Sequence, residues 1–319
     1  MFDLLIVCIG FVASILLVDI LSKKTVDSME KLAHSLKLSP VLIGLFLASL
    51  GTDLPEIMNS ILSSYMKEGD INVGDSLGSV FAQITLGFGV LPFAAGLTLK
   101  KIRFKKKHVG ILGISLIVCL FMLLSIVQTG YFSRFNALIL LGTYLCISFI
   151  HGLVIPTKLR LKREEVAYRS PLYYLVMIFL GFFGLTLATF VIIKSIVFLS
   201  KFFGVPKYFI SFTILAISTS LPEVAASIAA LERGLTGIIL GNILGSCIVD
   251  ASLSIAIGPL FFPVSISADA ALRSGVYTLL ASFLVVLSLY ANKGRLTLSL
   301  GLLFLLLYLI MFPYSIYII

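Results

Sequence analysis

Charge is scarce in this chain: 12% of its 319 residues are Asp, Glu, Lys or Arg, against 59% that are hydrophobic. A soluble core of this size cannot hide so much apolar surface, so a water-soluble globular protein is excluded. Histidine is scarcer still, with three copies in all. His34, His108 and His151 fall in loops or at the ends of apolar runs. No base then stands beside a serine at membrane depth, which argues against an intramembrane serine protease. Cys8, Cys119, Cys146 and Cys247 lie within apolar runs without CxxC spacing and read as packing residues. Residues 1–21 lack a basic start and a small-residue cleavage site, so the first apolar run reads as a retained helix.

What is present is a series of long apolar runs separated by short polar clusters, the pattern of membrane-spanning helices rather than of barrel strands. The expected spans cover about 2–22, 39–66, 71–97, 108–128, 132–156, 171–203, 207–232, 235–262, 270–291 and 295–317. Residues 23–37 read as an amphipathic continuation of the first helix along the membrane interface. Loops that follow odd-numbered spans hold 18 Lys and Arg, against 5 on the opposite side. Cytoplasmic loops attract the excess of Lys and Arg, so both termini are expected on the extracytoplasmic side of the cell membrane. The net charge of +9 is thereby read as a topology signal, with no nucleic-acid partner.

The chain is organised around Gly51-Thr52-Asp53-Leu54-Pro55-Glu56, echoed in the second half by Ser218-Thr219-Ser220-Leu221-Pro222-Glu223. Gly74-Asp75-Ser76-Leu77-Gly78-Ser79 and Gly241-Asn242-Ile243-Leu244-Gly245-Ser246 repeat at the same offset as the first pair. That offset covers five spans, an odd number, so the two halves enter the membrane from opposite sides. Inverted repeats with interrupted helices at the midplane are a mark of secondary transporters. The expected fold is an all-α polytopic membrane protein with ten transmembrane helices in two inverted five-helix repeats. The first repeat covers 1–156 and the second 171–319, joined by a cytoplasmic linker over 157–170.

Asp53, Glu56, Glu223 and Asp250 fall near span centres. Each carboxylate costs about 2.5–3.5 kcal/mol at a helix centre, so cations or protons must neutralise them. Lys194 and Asp19 lie nearer span ends, where interfacial solvation accounts for them. Asp53 and Glu56 are three residues apart, while Ser79 and Gln83, and Ser246 and Asp250, are four apart, so each pair shares a helix face. Pro55 and Pro222 each remove an N–H and free a carbonyl one turn upstream, near Thr52 and Thr219. Carboxylates, hydroxyls and carbonyls without sulfur or imidazole are the donor set of a hard cation, and calcium suits flexible oxygen coordination better than magnesium does.

At these residues the sequence resembles the sodium/calcium exchangers of the cation/calcium antiporter superfamily, whose two α-repeats carry a GTSLPE-type and then a GNxxGS-type motif. The recognisable repeats cover 41–92 and 208–259. The resemblance implies eight helices packed around the site, with the first and sixth sliding past them. It implies calcium held by Glu56 and Glu223 with the carbonyls of Thr52 and Thr219. Ser220, Ser246, Ser79, Asp250 and the backbone near Ala216 match groups that hold sodium or tune the centre. The chain departs from the usual pattern at Asp53 (usually Ser), Asp75 (usually Asn), Gln83 (usually Asn), Ser218 (usually Gly) and Ser49 (usually a small residue such as Ala). An added carboxylate at Asp53 supplies either another cation ligand or a proton carrier.

The expected function is therefore exchange of Ca²⁺ for Na⁺ by alternating access, not an enzyme's chemistry. The alternative of the same fold couples Ca²⁺ or another divalent cation to H⁺, or involves K⁺. A cation channel is the alternative of a different class; its acidic ring normally comes from oligomeric symmetry, and internal duplication argues against it. The expected partners are the transported ions and the lipid bilayer, with no cofactor and no obligate protein partner.

Overall fold

Membrane-depth backbone must satisfy its own hydrogen bonds, and this chain does so by forming helices almost throughout. The computed structural model describes residues 2–35, 40–98, 102–154, 170–232, 234 and 236–317. Its helices are α1 (Phe2–Ser35), α2 (Pro40–Tyr65), α3 (residues 69–98), α4 (Lys106–Val127), α5 (Arg134–Val154), α6 (Pro171–Phe203), α7 (Lys207–Glu232), α8 (Thr236–Phe261), α9 (Ala268–Ala291) and α10 (Leu298–Tyr317). Among the described residues, eight of them (α1 and α3 to α9) are long and apolar enough to cross a membrane. The linker expected over 157–170 lies outside the described residues apart from Ser170, which accepts the Tyr173 N–H and caps α6.

Two antiparallel two-residue ladders tie the loops. β1 (Ile102–Arg103), between α3 and α4, pairs with β4 (Arg295–Leu296), between α9 and α10. β2 (Tyr131–Phe132), between α4 and α5, pairs with β3 (Val264–Ser265), between α8 and α9. Irregularities recur at the spacing of the sequence motifs. The π turns Gln83–Gly87 in α3 and Asp250–Ser254 in α8 begin as far apart in the chain as Glu56 and Glu223 stand. The left-handed turn residues Lys67 (φ 61°) and Gly234 (φ 74°) keep the same separation.

Packing divides the molecule in two. One hydrophobic cluster joins buried side chains of α3, α4, α5, α7, α8, α9 and α10, including Leu77, Phe88, Leu120, Leu140, Phe212, Leu244, Val285 and Phe304. A second joins α1 and α6 to α2 and to the start of α7, through Phe11, Val18, Leu54, Leu185, Ile196 and Ile210. Small residues bring the antiparallel pair α1 and α6 close, as in many membrane helix pairs. A Cβ at Gly184 would stand 2.7 Å from Leu21, and one at Gly181 would strike the Thr25 hydroxyl.

The first helix continues past residue 22 as expected: α1 is one helix to Ser35, and Thr25 packs under α6, where Gly181 leaves room for it. One expectation is corrected here, the interruption of the proline helices. α2 and α7 remain helical through Pro55 and Pro222, and α7 carries a π turn at Ser211–Leu215, upstream of its proline.

Candidate ion-binding site

Four helices bring the polar residues of the repeated motifs to one buried region. α2 contributes Asp53 and Glu56, each 2% exposed, and α7 contributes Glu223, which is fully buried. α8 adds Asp250 and Ser246 on one face, and α3 adds Asp75, Ser79 and Gln83, spaced four apart so that all three face α7 and α8. Glu56 lies within electrostatic reach of Asp250, Glu223, Asp75 and Asp53. None of these carboxylates has a Lys, Arg or His within salt-bridge distance among the described residues. Lys194 is exposed, over the ring of Phe190, and Asp19 pairs with Lys23 at 2.8 Å.

The hydrogen bonds divide the carboxylates into two kinds. Asp75 is satisfied: it accepts from Asn59 Nδ2 at 2.7 Å and from Thr219 Oγ1 at 3.3 Å. In contrast, Asp53 Oδ1, Asp250 Oδ1 and both carboxylate oxygens of Glu56 and of Glu223 are buried with no partner among the described residues. Asp53 is within hydrogen-bonding reach of Ser246, and Asp250 accepts from Gln83 Nε2 at 3.2 Å. A buried carboxylate oxygen without a donor is costly unless a cation or proton meets it. Among the described residues no three His, Cys, Asp or Glu side chains close into a ready metal cage. The acids converge on one region without forming a finished chelate.

Several expected ligands are differently engaged. Gln83 turns its amide nitrogen to Asp250 and Ser220, while its oxygen accepts from the buried Cys247 thiol at 3.4 Å. It orients an acid instead of offering an oxygen. The Thr219 hydroxyl reaches the carbonyls of Leu215 and Ala216, at 3.3 and 3.2 Å, and lies 3.3 Å from Ser79 Oγ. Ala216 is buried, and its carbonyl thus already has a neighbour. The side chains of Thr52 and Ser49 lie outside the described residues. Asp75 and Asn59 are not among the expected ligands, and neither is Asn242, whose Nδ2 donates to the Glu223 carbonyl at 2.9 Å and to Ser227 Oγ at 3.1 Å. A signal for them exists in the sequence: Asp75 and Asn242 occupy the same place in the second motif of each half.

The family model described as sodium/calcium exchanger protein matches residues 6–152 and 173–317. This chain belongs to the sodium/calcium exchanger family. It is 28% identical over 283 residues to the uncharacterized membrane protein MJ0091 of Methanocaldococcus jannaschii, covering 88% of each. The structure of the sodium-calcium exchanger NCX_Mj soaked with Na⁺ overlays on it with a TM-score of 0.61 at 25% identity, over 97% of this chain and 99% of the other. The H⁺/Ca²⁺ exchanger CAX shares the fold with a TM-score of 0.75 at 15% identity, over 98% and 84% of the two chains.

The repeated glycine faces are covered unequally among the described residues. Where α7 begins, it lies directly on the first half of α3. A Cβ at Gly74 would stand 2.8 Å from the Tyr208 carbonyl, and one at Gly78 would strike the Phe212 carbonyl. The contact is held by the ion pair of Lys207 Nζ and Glu68 Oε2 at 2.6 Å and by stacked Phe81 and Phe212 rings, while Tyr208 is anchored to α9 by its hydroxyl, 2.5 Å from that of Ser274. On the corresponding face of α8, Gly241 is exposed, Gly245 is half-buried, and no described atom lies within 4 Å of a Cβ at either. The side chains at the start of α2, which hold the matching place in the other half, lie outside the described residues.

Proposed function

We propose that this chain is a secondary active antiporter that exchanges Ca²⁺ for Na⁺ by alternating access, with ten membrane-spanning helices in two inverted repeats, 1–156 and 171–319. The observation that carries the reading is the set of buried carboxylate oxygens on α2, α7 and α8 with neither donor nor basic partner among the described residues. Such oxygens suit a hard divalent cation that arrives from water and leaves again. Glu56 and Glu223 are the principal calcium ligands, with Asp53, Asp250, Ser79, Ser220 and Ser246 completing overlapping sodium sites. Competition for the same oxygens couples the two fluxes. Gln83 and Asp75 orient the shell from behind.

The repeated motifs, the π turns that recur at the motif spacing and the two exchanged loop ladders support the inverted halves. The excess of Lys and Arg in the loops after α1, α3, α5, α7 and α9 supports a plasma-membrane orientation with both termini extracytoplasmic. In that orientation Gly74 and Gly78, covered by α7, face outward, and Gly241 and Gly245, which meet no described atom, face the cytoplasm, which supports a form open inward.

A proton-coupled exchange of Ca²⁺ is the second reading, favoured by Asp53 and Asp75, two carboxylates where the resemblance leads one to expect Ser and Asn. Uptake of radioactive Ca²⁺ into Na⁺-loaded proteoliposomes, beside a matched set carrying only a pH gradient, separates the two. Sodium-driven uptake is the expected result; uptake driven by the proton gradient alone would replace Na⁺ by H⁺. Asp53→Ser is expected to shift the coupling toward Na⁺ or alter its pH profile, and an unchanged profile would return Asp53 to a structural role.

A further inference from the structure

The β1–β4 ladder brings two distant loops together with like charges opposed. Arg103 and Arg295 are direct partners across it. Like charges directly opposite weaken a ladder, and nothing in sorting charges to one side of a membrane requires them to pair this way. Lys105 and Lys106 follow Arg103, and Lys293 comes from the other loop; with Arg103 and Phe104 they line a concavity of about 570 Å³. All five cations are exposed, and none has a carboxylate within salt-bridge distance among the described residues. The linker over 157–170 is basic in sequence as well, carrying five Lys and Arg against two Glu.

The concavity is built rather than incidental. Its floor is Phe104, 3% exposed, whose ring packs edge-on against Phe88 and whose N–H donates to the Gly294 carbonyl at 2.7 Å. Gly294 has φ +77°, and a Cβ there would strike the Phe104 carbonyl, so only glycine lets the loops meet this closely. Lys106 Nζ is held 4.2 Å above the ring of Tyr290. The site sits where α3 and α9 end and α4 and α10 begin, which is headgroup level for membrane-spanning helices. Exposed Tyr290, under Lys106, offers an apolar face to an acyl chain.

We infer that this basic concavity binds the phosphate of an anionic phospholipid headgroup. The Arg103 guanidinium can grip phosphate oxygens bidentately and the lysines add point charges, while Arg295, across the ladder from Arg103, adds to the positive field. A bound phosphate offsets the repulsion of the opposed Arg103–Arg295 pair. The inference is independent of which ion the exchanger couples to calcium.

Native mass spectrometry of the purified full chain in detergent, titrated with phosphatidylglycerol or with phosphatidylcholine, tests it. The wild type is expected to retain phosphatidylglycerol at least fivefold more tightly, and each cation removed by Arg103→Gln, Arg295→Gln or Lys293→Gln to lower that retention about fivefold. Lys293 lies in an exposed turn, so its variant keeps the test valid if a ladder variant misfolds. Equal retention of the two lipids, or retention unaffected by the substitutions, overturns the inference. A rise in melting temperature with inorganic pyrophosphate, lost in Lys293→Gln and unaccompanied by any preference for phosphatidylglycerol, overturns the lipid as its source.

Discussion

The first halves of α3 and α8 carry the same motif, yet among the described residues one is covered and the other is not. Gly74 and Gly78 are pressed against the backbone of α7, while Gly241 and Gly245 meet no described neighbour. Two stretches of like sequence in unlike surroundings show that the motif's small residues do not fix one packing. They permit a close approach that, among the described residues, is made on one side only. A glycine face lets a neighbouring helix backbone come close without interlocked side chains. Under the proposed alternating access, the covered face is the gate and the α8 face the path.

The comparison is tested most severely at the site itself, where the two halves should be equals. Glu56 and Glu223 are both buried, and both have two oxygens with no partner among the described residues. Glu56→Gln and Glu223→Gln are each expected to reduce Ca²⁺ flux in proteoliposomes about a hundredfold or more, since a lost charged partner in a buried site costs about 3–5 kcal/mol. Removing one of several mutually repelling buried acids should not lower thermal stability. Wild-type flux in either variant would remove that residue from the site, and unequal losses would mean that the halves do not share the ion.

The helical fold and the acids of α2, α7 and α8 are legible in the sequence because membrane burial leaves a plain mark: a carboxylate in a long apolar run has no innocent reason to be there. The ends of the helices after α1 fall within three residues of the expected spans for the same reason, since loops gather the polar residues. Side-chain direction is not legible. By spacing alone Gln83 reads as an oxygen ligand, and only its neighbours Asp250 and Cys247 decide which end of the amide faces the acids. Asp75 reads as a departure from a motif, and its role rests on Asn59 one helix away, a contact that no spacing along the chain encodes. The π turns are likewise hidden, being a response to packing around the prolines and the site rather than a preference of Gln-Ile-Thr-Leu-Gly or Asp-Ala-Ser-Leu-Ser.

The gate should be broken by bulk on its covered face. Gly78→Ala places a methyl group against the Phe212 carbonyl and 2.6 Å from Ala216 Cβ, an overpacking worth about 1–3 kcal/mol. Gly245→Ala, its counterpart, meets open space in this form. The first is expected to increase labelling of a cysteine introduced at Ser220 by an impermeant reagent added from the extracytoplasmic side, and the second to leave it unchanged or reduce it, because it penalises the alternative closure. Equal labelling in the two variants would mean that the glycine faces do not control access.

The smallest expected effect concerns the ion pair that has no counterpart in the other half. Lys207 and Glu68 join the start of α7 to the turn before α3, and the residues that take their places in the opposite repeat are Pro40 and Leu235. The side chains are 32% and 18% exposed, so solvent screens the pair, and its worth is about 1 kcal/mol or less. That is still a bias of about fivefold between two forms of similar energy. Lys207→Gln or Glu68→Gln should therefore raise extracytoplasmic labelling by up to about fivefold, with the double variant no more affected than either single one. High salt should mimic the substitutions in the wild type and do nothing further to the variants. A pair that serves only to tie down the loop would instead lower the melting temperature and leave labelling where it was.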